Sequence, residues 1–125
     1  MPIVAGEKIL LVDDMRLNRE LAKDILELQG YTVIEACNGQ EAIDHARHDN
    51  PDLILLDIEL PDMSGLDVIK VLRDDSQTKA TPVVAFTAYI DPGDHDEIMA
   101  SGCSGCIFKP FDVKSFPQKV AEFLK

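Results

Sequence analysis

Five polar residues in this 125-residue chain lie at the ends of short apolar runs. Asp13 and Asp14 follow Lys8 to Val12 (KILLV), Asp57 follows Leu53 to Leu56 (LILL), Thr87 follows Pro82 to Phe86 (PVVAF), and Lys109 follows Cys106 to Phe108. Three carboxylates brought together repel one another unless a cation joins them, and an all-oxygen donor set selects a hard ion such as Mg²⁺. Such an ion keeps positions open for water and substrate, so the same site can clamp phosphoryl oxygens. A carboxylate held there can attack phosphorus and become an aspartyl phosphate. A lysine supplies positive charge to the transferred group, and a threonine hydroxyl supplies a hydrogen bond. Phosphoryl transfer needs little more, because it depends mostly on positioning and charge neutralisation.

That chemistry requires the five residues to meet in space, and the pattern of elements supplies the means. Apolar runs alternate with helical periodicity along the whole chain. Strands are expected at Lys8 to Val12, Tyr31 to Ala36, Leu53 to Leu56, Pro82 to Phe86 and Cys106 to Phe108. Between the first two, Leu17, Leu21, Ile25 and Leu28 recur at helical spacing until Gly30 ends the helix. Asn38 is a candidate cap for a helix running to about His48, with Ala42, Ile43 and Ala46 facing inward. Leu66, Ile69 and Leu72 mark a third helix, Asp94 to Ser101 a weak acidic fourth, and Phe116, Val120, Phe123 and Leu124 a fifth. Pro117 fits only a first turn, which puts the start of that helix near Ser115 with Ser115 as its cap. Strands and helices in strict alternation imply one α/β domain, residues 8–125 after a short lead at 1–7, with a parallel sheet covered on both faces. In the strand order 2-1-3-4-5 the first, third, fourth and fifth strands are neighbours about 5 Å apart, so their C-terminal ends form one cluster on one sheet edge.

Composition limits the partners. Twelve Lys and Arg against 23 Asp and Glu give a net charge of −11 with His neutral, which repels nucleic-acid backbones and anionic lipid. No apolar run approaches the length of a membrane span, and the start MPIVAG has neither the basic nor the apolar part of a signal peptide. With an odd cysteine count as well, the cytoplasm is the expected compartment.

Four pieces in order, LLVDD, DLILLDIELPDMSG, VVAFTA and IFKPF, make the chain resemble two-component receiver domains over essentially its whole length. The resemblance implies a flavodoxin-like (βα)5 fold with Asp57 as phosphoacceptor. It implies that Asp14 and Asp57 bind Mg²⁺ directly, with Mn²⁺ as substitute, that Asp13 acts largely through metal-bound water, and that the Glu59 backbone carbonyl is the third protein ligand. Thr87 takes the place of the switch hydroxyl and Lys109 that of the phosphate-pairing lysine, usually followed by a cis proline bond, here to Pro110. Glu59 and Tyr89 fall where the family tunes water access and so phosphate lifetime. A sensor histidine kinase or phosphotransfer protein is the implied donor. A downstream protein effector is implied on a surface made by the fourth helix, the fifth strand and the fifth helix. The protein would then be a signalling switch, a monomer or weak homodimer that promotes only its own phosphorylation and dephosphorylation. Segments such as ELAKDILELQGY look like single-domain regulators of the DivK type; a receiver portion of a hybrid kinase or multidomain regulator is the alternative. One position departs from the family. Three residues before the lysine, where a switch aromatic is usual, stands Cys106, and Tyr89 is the candidate to take over part of that role.

Other features have simpler explanations. Cys103 and Cys106 have C-x-x-C spacing, but no second pair follows, which favours packing over redox or zinc chemistry. His45, His48 and His95 have no metal-like arrangement, and the acids from Asp91 to Glu97 suit a helix start. A Mg²⁺ phosphohydrolase would need a second Asp two residues after the nucleophile, where Glu59 stands, and a flavin carrier would need a phosphate-cradling loop where two carboxylates stand.

Overall fold

Each apolar run forms a strand and each periodic segment a helix, in the order β1 (Lys8–Val12), α1 (Arg16–Leu28), β2 (Thr32–Ala36), α2 (Gly39–Asp49), β3 (Leu53–Leu56), α3 (Gly65–Arg73), β4 (Val83–Ala88), α4 (Pro92–Ala100), β5 (Gly105–Lys109) and α5 (Ser115–Phe123). The structure, a computed structural model, describes residues 7–88, 92–109 and 112–124. All five strands pair in parallel, as the alternation of elements implies, and their order is β2-β1-β3-β4-β5, the order expected of a receiver-like fold.

The strands read as unbroken apolar runs because both sheet faces are covered. Successive residues of β1 and β3 point to opposite sides. Leu10, Val12, Ile54 and Leu56 join the core layer under α2, α3 and α4, whereas Ile9, Leu11, Leu53 and Leu55 join the layer under α1 and α5. β4 follows the same rule, with Val83 and Ala85 on one side and Val84 and Phe86 on the other. Asn38 caps α2 by accepting the Glu41 N–H, and Asn50 ends that helix in the left-handed conformation, φ 48°. Gly30 (φ 95°) gives the left-handed turn that follows α1.

Two helix assignments differ from expectation. In α1 the inward residues are Ala22, Ile25 and Leu26, while Leu17, Leu21 and Leu28 are 76%, 49% and 84% exposed. Apolar residues occur at enough positions on this helix for periodicity to allow two stripes. The narrow Ala22 lets the helix axis approach the sheet, and that contact selects the stripe containing it. In α5, Ser115 is the first helical residue rather than the cap. Lys114 holds the cap position without a side-chain cap bond, and Asp112 serves instead, its carboxylate accepting the Lys114 N–H and its carbonyl the Phe116 N–H. Phe116 and Val120 are fully buried, as the stripe implies, and Phe123 and Leu124 pack against the same layer. Smaller differences lie at element ends: β4 runs on through Thr87 to Ala88, β5 includes Lys109, and α4 starts at Pro92. Among the described residues no helix is long and apolar enough to cross a membrane.

Candidate functional site

Parallel strands put all their C-terminal ends on one edge, and register decides which residues meet there. Val12 pairs with Leu56 and Ala88 with Lys109, so the residues just past β1 and β3 and the last residues of β4 and β5 converge. Backbone hydrogen bonds extend the ladder beyond the strands proper. Asp13 N–H donates to the Ala36 carbonyl at 3.1 Å and Asp57 N–H to the Val12 carbonyl at 3.0 Å. A cavity of about 490 Å³ opens at this edge, lined by Asp14, Met15, Asn18, Asp57, Glu59, Thr87, Ala88 and Lys109.

The Lys109 ammonium bridges two carboxylates, 2.7 Å from Asp13 Oδ2 and 3.0 Å from Asp57 Oδ2. It also lies 5.2 Å from the centre of the Phe86 ring, which stacks on Phe116. Asp13 is fully buried, Asp57 is 5% exposed and Thr87 is 1% exposed, while Asp14 faces the opening. One carboxylate oxygen from each of Asp13, Asp14 and Asp57 lies within 4.8 Å of the others. Three hard oxygen donors at that spacing, one of them open to solvent, fit a divalent cation of the Mg²⁺ type that keeps water and substrate positions. The second Asp57 oxygen, Oδ1, accepts the Glu59 N–H at 3.0 Å, which turns the loop after β3 over the acceptor.

Burial pushes the Asp57 carboxyl above the usual carboxylate range, against the pull of Lys109 and the Glu59 N–H toward ionisation. Burial also presses the Lys109 ammonium toward neutrality. Its hydrogen bonds to Asp13 and Asp57 outweigh that and hold it above the ordinary lysine value.

The loop after β3 is held at two places. Asp62 accepts the Gly39 and Gln40 N–H groups of α2 at 2.7 and 3.0 Å, and these backbone bonds keep its carboxyl below the usual range. At the loop's far end, a Cβ on Gly65 would stand 2.6 Å from Ile58 Cα and 2.7 Å from the Asp57 carbonyl oxygen, so only glycine lets α3 start this close to the acceptor.

A family profile described as response regulator receiver domain matches residues 9–121. The chain belongs to that family. It is 42% identical over 118 residues to the polar-differentiation response regulator DivK of Brucella anthropi, covering 94% of this chain and 96% of that one, and as similar to DivK of Brucella ovis. This receiver domain is thus similar to single-domain regulators of the DivK type. Among solved structures, the chemotaxis response regulator CheY4 of Vibrio cholerae superposes with a TM-score of 0.89 at 31% identity, covering 97% of this chain and all of that one. A CheY-like receiver domain protein from Methanospirillum hungatei gives 0.88 at 27% identity, covering 96% and 94%.

The receiver fold brings Asp13, Asp14, Asp57, Glu59, Thr87 and Lys109 to one edge, whereas Tyr89 and the Pro110 bond lie outside the described residues. Cys106 is half-buried in β5 opposite Ala85 and packs on the layer beneath α4. Burial and the neighbouring Cys103 push its thiol up to about 11, which suits a packing residue rather than a reactive one. Cys103 is 8% exposed and its S–H donates to the Ile98 carbonyl; all three cysteines are free. His45 pairs with Asp49 and His48 with the Asp44 carbonyl on the outer side of α2. Met15, Asn18 and Ala88 on the cavity wall, and the Asp62 tie, are absent from the sequence reading. Their roles follow from register and loop path rather than from periodicity.

Proposed function

We propose that Asp57 accepts a phosphoryl group and that the protein is a signalling switch read by other proteins. The observation that carries this is the Lys109 ammonium shared by Asp13 and Asp57, with Asp14 alongside and Thr87 on the same cavity wall. Asp14 and Asp57 are the side chains to hold Mg²⁺ or Mn²⁺ directly, with the Glu59 backbone carbonyl as third ligand and Asp13 acting through water. When bound, the ion offsets charge on the phosphoryl oxygens. An Asp57 carboxylate oxygen forms the new bond to phosphorus as the donor's P–N or P–O bond breaks, and the leaving imidazole or carboxylate departs with that bond's electrons. Lys109 turns from the free carboxylate to a phosphoryl oxygen, and the Thr87 hydroxyl donates to another. Asp57 is nearly buried, and among the described residues the opening onto it includes Met15 and Asn18, where a donor protein can reach it. The exposed Leu17 and Leu21 on α1 then lie within its footprint.

A histidine kinase or phosphotransfer protein is the fitting donor, and a donor of that kind fits a protein of the cytoplasm. The phosphoryl group adds about −1.5 to −2 charge and biases the loops after β3 and β4. The readout is binding at the α4–β5–α5 face, where Met99, Phe108 and Val113 are 39%, 38% and 59% exposed. Glu59 and Tyr89 tune phosphate lifetime, and Cys106 replaces the usual switch aromatic. The protein acts catalytically only on its own phosphorylation and dephosphorylation.

Incubation with acetyl phosphate and Mg²⁺, followed by intact-mass measurement, tests the reading. A single labile phosphoryl adduct that needs Mg²⁺ and disappears in Asp57→Asn is expected. No adduct on the parent protein, with Mg²⁺ binding intact, overturns it.

A further inference from the structure

Asp14 is the exposed member of the carboxylate group, and among the described residues no side-chain hydrogen bond holds its carboxylate. Its direction is therefore set by the backbone of the β1–α1 turn. Asp13 Oδ1 accepts the Met15 N–H at 2.9 Å, which fixes the far side of the turn. The peptide joining Asp13 to Asp14 is fixed by a side chain: Arg19 Nη1 donates to the Asp13 carbonyl oxygen at 2.9 Å. The same guanidinium is anchored on β2, Nε donating to Glu35 Oε1 at 3.2 Å, and Lys23 pairs with the other Glu35 oxygen at 3.3 Å. Arg19 is only 17% exposed, so its planar fork is held in one orientation between strand and turn.

We infer that Arg19 is a positioning residue for the metal-binding acid pair, setting the Asp13–Asp14 peptide so that the Asp14 carboxylate faces the cation site. The inference rests on the Mg²⁺-assisted reading of that site. Two features separate it from an ordinary surface ion pair. The guanidinium spends a donor on a backbone oxygen of the turn itself, and its side chain, 17% exposed, is largely buried between strand and turn. Outer partners that orient a ligand typically change metal affinity by about 10–100-fold when removed. Because Asp13 is held independently by Lys109 and by the Met15 N–H, the loss from Arg19 removal belongs at the lower end of that range.

The test is isothermal titration of Mg²⁺ into the parent protein, Arg19→Ala, Arg19→Lys and Glu35→Gln, with amide hydrogen exchange at Asp14 and Met15. Arg19→Ala should weaken Mg²⁺ binding about 10-fold and speed exchange at both amides. The maximal rate of adduct formation at saturating Mg²⁺ should stay near that of the parent. Arg19→Lys, which can keep one of the two donor bonds, should recover part of the affinity, and Glu35→Gln should lose less than Arg19→Ala. A lower melting temperature with unchanged Mg²⁺ affinity and unchanged exchange at Asp14 would overturn the inference and leave a structural ion pair. Should Arg19→Ala fail to fold, Arg19→Lys and Glu35→Gln decide alone, and parent-like affinity in both overturns it. Failure of the underlying reading looks different: the parent protein itself then binds no Mg²⁺.

Discussion

Replacing Lys109 by methionine keeps most of the apolar stem and removes the one cation that bridges Asp13 and Asp57 in the described structure. With Nζ at 2.7 and 3.0 Å from the two carboxylates, each contact is worth roughly 6 kcal/mol at an effective dielectric of about 20, before desolvation takes back most of it. Removing one partner of such a buried group costs on the order of 3–5 kcal/mol, because the remaining charges are left without compensation. For a domain of this length that is a fall in melting temperature of about 10–20 °C. The loss should depend on pH. Burial already holds the Asp57 carboxyl high, and Lys109 is among the groups pulling it down, so it rises further in the variant. A carboxyl raised in the folded state favours the fold at low pH and gives that up as pH climbs through its folded value. The deficit of Lys109→Met therefore shrinks as the medium is acidified and Asp57 takes a proton, and grows as that proton is lost. In the parent protein the raised Asp57 carboxyl gives a dependence of the same sign but smaller extent, while Lys109 is held above the ordinary lysine value and its contribution is lost only under alkaline conditions. Added Mg²⁺ should restore much of the lost stability by replacing the missing positive charge. Thermal melts of both proteins between pH 5 and 8, with and without Mg²⁺, check this. A deficit that is equal at both ends of the range and indifferent to Mg²⁺ would refute the electrostatic account.

Gly65→Ala should cost about 1–3 kcal/mol and slow phosphoryl acceptance, since its Cβ meets Ile58 and the Asp57 carbonyl; urea melts and adduct formation measure the two effects. Iodoacetamide should label Cys106 in the native protein at neutral pH on the order of 100-fold more slowly than in the unfolded chain, because burial suppresses its thiolate, as peptide mass mapping can show. On α1, Leu17→Ser and Leu28→Ser should each change stability by less than about 0.5 kcal/mol, whereas Leu26→Ala should cost about 2–5 kcal/mol. Urea midpoints that reverse this order would return the buried face to the other stripe.

The sequence by itself determined the alternation of five strands with five helices, hence the parallel sheet, because unbroken apolar runs between amphipathic segments have no other way to cover both faces. It also named the polar residues at the strand ends, since a charged residue closing a buried run is visible without coordinates. The tertiary structure decided what depends on register and close approach. Periodicity allowed two faces of α1, and only the seat of Ala22 on the sheet chose between them. Lys109 and Asp13 are 96 residues apart, and nothing local states that one ammonium would serve both Asp13 and Asp57. Arg19 and Asp62 look like solvated charges in the sequence. Each becomes a tie between a site loop and a neighbouring element because folding places a backbone oxygen before one and two helix N–H groups before the other.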